Sequence, residues 1–108
     1  MNIILSILIT ATFYHSKYDG KITASGIRYD STRLTAASND FYGDSLLITN
    51  PKNNKSVKVF VNDRMRKRYI KVLGKKMIVK RIDLSKAAAD SIGIKKGKVL
   101  IKIINKKG

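Results

Sequence analysis

Ser56-Val57-Lys58-Val59-Phe60-Val61 carries a valine at every second position, and it lies just after a turn-forming run, Asn50-Pro51-Lys52-Asn53-Asn54. A period of two puts Val57, Val59 and Val61 on one face of a strand, and Ser45–Thr49 before the turn reads as its hairpin partner. Pro51 is the only proline. In the turn its fixed φ is useful and its missing N–H interrupts no ladder. A two-stranded hairpin with one apolar face is not stable alone, so further strands must cover it. Thr10–Tyr14, Met77–Val79 and Val99–Ile103 have the composition to do so. One helix is well marked: Ser85 is a good N-cap for Lys86–Ile92, and Gly93 suits the left-handed position that ends a helix. A shorter helical turn is expected around Arg33–Ala37. Many short strands with one or two short helices define a mainly β chain, a small barrel or sandwich.

Composition narrows the chemistry. At 108 residues the chain is one domain, and 44% hydrophobic residues argue for a folded core rather than disorder. There is no cysteine, so no disulfide, thiol nucleophile or thiolate metal site is available. His15 is the only histidine, which leaves a His-based zinc site or a Ser-His-Asp triad almost nothing to use. No metal or other cofactor is expected. Glutamate is absent, so every carboxylate side chain is an aspartate. The net charge is +16, from 23 basic and 7 acidic residues, densest over Arg64–Arg81 and Lys95–Lys107. Such an excess attracts polyanions. The abundance of lysine, isoleucine and asparagine is equally what an AT-rich coding sequence yields, and both explanations stand at this point. The apolar run Ile3–Ile9 is too short to span a bilayer. It reads either as the core of an export signal or as an extension of the first strand. The division expected is thus 1–10 as signal or strand extension, 11–104 as the domain, and 105–108 as a basic tail.

Four segments in order give the chain a family likeness. They are Ala11-Thr12-Phe13-Tyr14; Gly20–Gly26 with Tyr29-Asp30 and Leu34–Ala37; Val59-Phe60-Val61-Asn62-Asp63-Arg64; and Arg81-Ile82-Asp83-Leu84-Ser85 with Ala87–Ala89 and Gly93. Together they resemble the rare lipoprotein A (RlpA)-like family, which is related to lytic transglycosylases and expansins. The resemblance implies a six-stranded double-psi β-barrel with one or two short helices and a polysaccharide groove across one side. It departs from the family pattern in three places. Ile27 stands where the family has glutamate after Ser-Gly, and Ser38 where it has histidine after Thr-Ala-Ala. After Asp63-Arg64 a long basic stretch, 65–80, replaces a brief loop.

The resemblance implies a protein directed at peptidoglycan or another anionic cell-wall polysaccharide, secreted, in the cell envelope, or phage-associated. Two activities are open: lytic transglycosylase-type cleavage, and noncatalytic, expansin-like wall binding. Asp63 is the candidate general acid/base, because it follows an apolar strand and partial desolvation would raise its pKa toward that of an acid. Asp30 is the candidate second carboxylate on the same groove. Thr12, Tyr14, Ser25, Tyr29 and Arg64 are candidate substrate-binding residues. Asp83 is expected to serve structure, satisfying backbone donors near the helix N-terminus. Nucleic acid is a poor fit, since aromatic residues are not interleaved with the basic stretches. A monomer without a stable membrane span is expected.

Overall fold

The computed structural model describes residues 7–13 and 16–105. Eight strands and one helix follow in the order β1 (Ile7–Phe13), β2 (Thr35–Ser38), β3 (Ser45–Asn50), β4 (Lys55–Arg64), β5 (Arg68–Val72), β6 (Lys75–Val79), β7 (Arg81–Leu84), α1 (Lys86–Ile92) and β8 (Gly97–Asn105), with a 3₁₀ turn at Ser16–Tyr18. Six strands close a barrel in the order β1-β7-β2-β4-β3-β8, while β5 and β6 form a separate two-stranded sheet. Within the barrel, β1–β7 and β2–β4 pair in parallel and the remaining neighbours are antiparallel. Closure leaves the barrel no open edge.

The interior follows from alternation. Ile9 and Ala11, Leu46 and Ile48, Val57, Val59 and Val61, Ile82 and Leu84, and Val99 and Ile101 fill it, and Ala88, Ala89 and Ile92 of α1 pack into the same core. The β3–β4 hairpin forms as the valine pattern requires, with Ile48 opposite Val57 and Leu46 opposite Val59. The apolar N-terminal run is divided: Ile7–Ile9 belong to β1 and pair with Val99–Ile101, whereas residues 1–6 lie outside the described residues.

The helix ends are held by the barrel. Ser85 Oγ accepts from the Ala88 amide at 3.2 Å and donates to the Arg33 carbonyl at 2.6 Å. Ala87 N–H reaches the Ser31 carbonyl at 2.9 Å. At the other end Gly93 takes φ 66°, and the side-chain amides of Asn50 and Asn53 donate to the Ile92 carbonyl at 2.8 and 3.0 Å. Orphan groups of a one-helix fold are thereby satisfied from loops on both sides.

The helical turn expected around Arg33–Ala37 does not form. Thr35–Ser38 is β2, which sits between β4 and β7 with a ladder on each side. Alanine favours helix in isolation, but here two small residues let three strands pack closely, and tertiary pairing wins. Arg33 belongs to a preceding turn, its amide donating to the Asp30 carbonyl.

Candidate functional site

Asp63 owes its position to a β-bulge. Strict alternation after Val57, Val59 and Val61 would send it into the barrel. The β2–β4 register instead shifts between Ala36 and Ala37, so that Val61 faces Ala36 and Asp63 faces Ala37, with Asn62 as the extra residue. Bulges re-aim side chains in this way. The shift turns Asp63 to the outer wall, where paired residues share a face. Thr12 pairs with Asp83, Asp83 with Ala37, and Ala37 with Asp63. The row Thr12-Asp83-Ala37-Asp63 thus crosses four neighbouring strands. Two strand spacings separate the Cα atoms of the aspartates, about 10 Å, with only an alanine methyl between them.

Two backbone amides orient the Asp63 carboxyl: Ala24 N–H at 2.8 Å and Arg64 N–H at 2.9 Å both donate to Oδ1. Ala24 lies in a tight loop at 23–27. There the Thr23 hydroxyl donates to the Ile27 carbonyl at 2.6 Å, Gly26 takes φ 87°, and Ser25 N–H reaches the Asn62 carbonyl at 3.1 Å. The loop is clamped to the end of β4 at the bulge. Beside it opens a cleft lined by Tyr18, Lys21, Ile22, Thr23, Tyr29 and Asp63.

Asp83 differs from expectation. Ser85 makes the helix cap, and no hydrogen bond of the Asp83 carboxyl is found among the described residues. Half-buried on the wall, it is pushed above the ordinary carboxylate range by desolvation, and the Arg81 guanidinium draws it partway back. Burial opposing ionisation is what a proton-holding carboxyl requires.

Asp30 stands apart from this row. It lines a second, more open cleft with Asp19, Ile27, Arg28, Arg33 and Phe60, and Tyr29 forms the partition common to both. The Thr32 amide and hydroxyl donate to its Oδ1 at 2.9 and 2.6 Å, and Arg33 Nε lies 3.6 Å from Oδ2. The Thr32 bonds, with a lesser contribution from Arg33, hold this carboxyl below its usual range. The pattern is that of a turn-capping aspartate.

The remaining candidates divide similarly. Thr12 takes its place in the row. Ser25 is exposed in the clamped loop, with its hydroxyl 2.8 Å from Thr23 Oγ1. Tyr29 is buried, its hydroxyl accepting from the Lys86 amide at 3.3 Å, and burial raises its phenol above the usual range. It lines both clefts. Arg64 leans away from the Asp63 cleft, with its guanidinium 4.3 Å from the centre of the Tyr42 ring. Tyr14 lies outside the described residues. Tyr18, not among the residues singled out from the sequence, is the aromatic wall of the Asp63 cleft, with Lys21 Nζ 5.1 Å from its ring centre. Only its closeness to the Gly20–Gly26 segment hinted at this role.

Two departures from the family pattern acquire places. Ser38 is buried, donating to the Arg81 carbonyl at 3.0 Å and accepting from the Asp40 and Phe41 amides. It pairs with Ile82, a core residue, so position 38 shares the face opposite Asp63 and Asp83. Ile27 is exposed on the Asp30 side of the loop. Among the described residues, no group of three or more acidic or histidine side chains gathers where a metal ion could be held.

A closed six-stranded barrel built on two parallel pairs has the architecture of a double-psi β-barrel. The family model described as lytic transglycolase matches residues 9–103, and the chain belongs to that family as an RlpA-like double-psi β-barrel. The endolytic peptidoglycan transglycosylase RlpA of Haemophilus influenzae is 42% identical over 85 residues, which cover 78% of this chain and 26% of that protein. Its counterpart in Neisseria meningitidis serogroup A is 38% identical over 95 residues, covering 86% and 36%. The chain thus spans about a quarter to a third of the length of these curated relatives. Among solved structures, apo expansin from Clavibacter michiganensis has the same fold, with a TM-score of 0.63 at 17% identity over 96% of this chain and 52% of that one.

Proposed function

We propose that this domain acts on peptidoglycan in the bacterial envelope and cleaves its glycan strands by lytic transglycosylation, with Asp63 as general acid/base and Asp83 as its partner carboxyl. The observation that carries this reading is the row in which Asp63 and Asp83 flank Ala37 on one face. The reaction needs a proton on the departing glycosidic oxygen and a base for the sugar hydroxyl that attacks the anomeric carbon. No water is added, so one carboxyl can serve in turn as acid and base. Asp63 faces the cleft and is oriented by two amides. Asp83, whose carboxyl burial makes harder to ionise, lies across Ala37 from it as a second carboxyl on the same face. The aromatic face of Tyr18 and the small side chains of the 23–27 loop offer a sugar a place beside Asp63.

Purified peptidoglycan incubated with the protein should release anhydro-muropeptides, detected by mass spectrometry. Asp63→Asn should lower the rate by about 10²–10⁴-fold, the usual contribution of a general acid/base. Product formation undiminished in that variant would remove Asp63 from the reaction.

A second reading, an expansin-like wall-binding module, is favoured by the other cleft. Exposed Phe60 and Ile27 lie beside Arg28 and Arg33 there, apolar faces for sugar rings with cations for an anionic polymer. It predicts retention on insoluble peptidoglycan that survives Asp63→Asn, with no anhydro product from the wild type.

A further inference from the structure

The stretch after Arg64 leaves the barrel altogether. β5 and β6 pair with each other only, from Arg68 opposite Val79 to Val72 opposite Lys75. The base of this hairpin is tied down: Asn39 Nδ2 donates to the Val79 carbonyl at 2.7 Å, its Oδ1 accepts from the Arg81 amide at 3.1 Å, and Lys80 pairs with Asp40 at 3.3 Å. Beyond the base every residue from Arg66 to Ile78 is exposed.

Its composition is unusual for a solvated hairpin. Arg66, Lys67, Arg68, Lys71, Lys75 and Lys76 are interleaved with Ile70, Val72, Leu73 and Met77, and the stretch 65–80 contains no acidic residue. Cross-strand pairing sets Ile70 against Met77 on one face and Lys71 against Lys76 on the other. The tip is Leu73-Gly74, with φ 52° and 78°, a two-residue turn of the type that prefers Asn-Gly. Leucine is poorly suited to that backbone, and at 99% exposure it gains nothing from burial. A residue that breaks both local preferences marks a place where something else decides.

We propose that the β5–β6 hairpin is an interfacial anchor that seats the barrel on a bilayer of anionic phospholipid. An anionic sugar polymer or nucleic acid would reward the lysines and leave Leu73, Val72 and Ile70 in water. A lipid interface takes both, burying the apolar tip at the acyl boundary while the lysines reach the headgroups. A second copy of the chain would bring two acid-free basic hairpins together against their charge. β4 runs through Arg64 directly into the hairpin, so anchoring holds the Asp63 end of the barrel toward the lipid surface. The inference is independent of whether the domain cleaves glycan.

The test is sedimentation of the full chain with vesicles of phosphatidylcholine, alone or containing about one-third phosphatidylglycerol. The protein is expected to pellet with the anionic vesicles and to bind neutral ones at least about tenfold more weakly. Leu73→Asn suits the turn better than the native residue and Val72→Thr keeps a β-branched strand residue, so the hairpin is retained while its apolar tip is lost. Vesicle binding should fall at least about tenfold in this variant. Replacing Lys71, Lys75 and Lys76 by glutamine should weaken it by about a hundredfold, near fivefold per cation. All variants keep residues 1–13, so any contribution from the N-terminal apolar run cancels. Absence of binding to anionic vesicles overturns the proposal. So does equal binding by the Leu73→Asn/Val72→Thr variant, or stronger retention on soluble polyphosphate than on vesicles, either of which would identify a general polyanion site.

Discussion

Asp83 and Asp30 are both exposed enough to meet solvent, yet their surroundings push them in opposite directions, and each shift has a consequence for stability. Burial raises the Asp83 carboxyl in the folded state above its unfolded value. The folded chain therefore binds that proton more tightly, and the resulting stability is complete below the unfolded pKa and lost as pH rises through the folded one. Asp83→Asn removes this loss. We expect its melting temperature to exceed that of the wild type by a few degrees at neutral pH, with the gap closing as pH falls toward the ordinary carboxylate value, while glycan cleavage drops. A gap that persists unchanged at low pH would refute the assignment of burial as the cause. Asp30 has the reverse sign: its lowered pKa supplies stability above the unfolded value that disappears on acidification through the folded one. Asp30→Ala should lower the melting temperature slightly at neutral pH and leave anhydro-muropeptide release intact. Loss of cleavage in that variant would return Asp30 to the reacting site.

At the level of elements, Ser85 is the residue on which most local bonds converge. Its side chain caps α1, donates to the Arg33 carbonyl and receives the Thr35 amide at 3.3 Å, with no exposure to solvent. Ser85→Ala removes the side-chain acceptor of the Ala88 amide and the hydroxyl that ties the 33–35 segment to the start of the helix. The cost should be about 2 kcal/mol, a fall in melting temperature of roughly 10 °C for a domain of this size, measurable by calorimetry. A change of less than a degree or two would mean the cap is dispensable. Ser85, Gly93 and the hairpin around Pro51 were legible in the sequence because each is specified by residues adjacent along the chain. The bulge at Asn62 and the strand character of Thr35–Ser38 were not. Both are properties of register between β2 and its neighbours, and Val-Asn-Asp and Thr-Ala-Ala-Ser carry no local mark of it. The same blindness hid how the acids are grouped. Asp30 and Asp63 lie in neighbouring loop and strand motifs yet line different clefts, while Asp83, read as a helix-end residue, joins Asp63 only through Ala37.

For the molecule as a whole, charge is the property that sequence stated outright and the fold does not neutralise. Asp30, Asp40 and Asp90 pair with Arg33, Lys80 and Lys86 at the surface, where such pairs contribute little. A net charge of +16 is thus carried on a body of 41 × 34 × 30 Å. At about 0.01 M salt the screening length is roughly 30 Å and falls to about 8 Å at physiological ionic strength, so in dilute buffer the cations repel one another across much of the molecule. Self-repulsion destabilises the compact state. The melting temperature should therefore rise by several degrees between about 0.01 M and 0.15 M sodium chloride and change little from there to about 0.3 M, as the screening length drops below the spacing of the charges. Over the same range, binding to an anionic surface should weaken, so stability and retention move in opposite directions with one variable. The triple glutamine variant in the hairpin separates the two effects. It removes three of the repelling charges, so its melting temperature should depend less on salt than that of the wild type. A wild-type melting temperature indifferent to salt would show that the positive charge is already compensated within the fold, and the electrostatic part of the anchoring argument would fall with it.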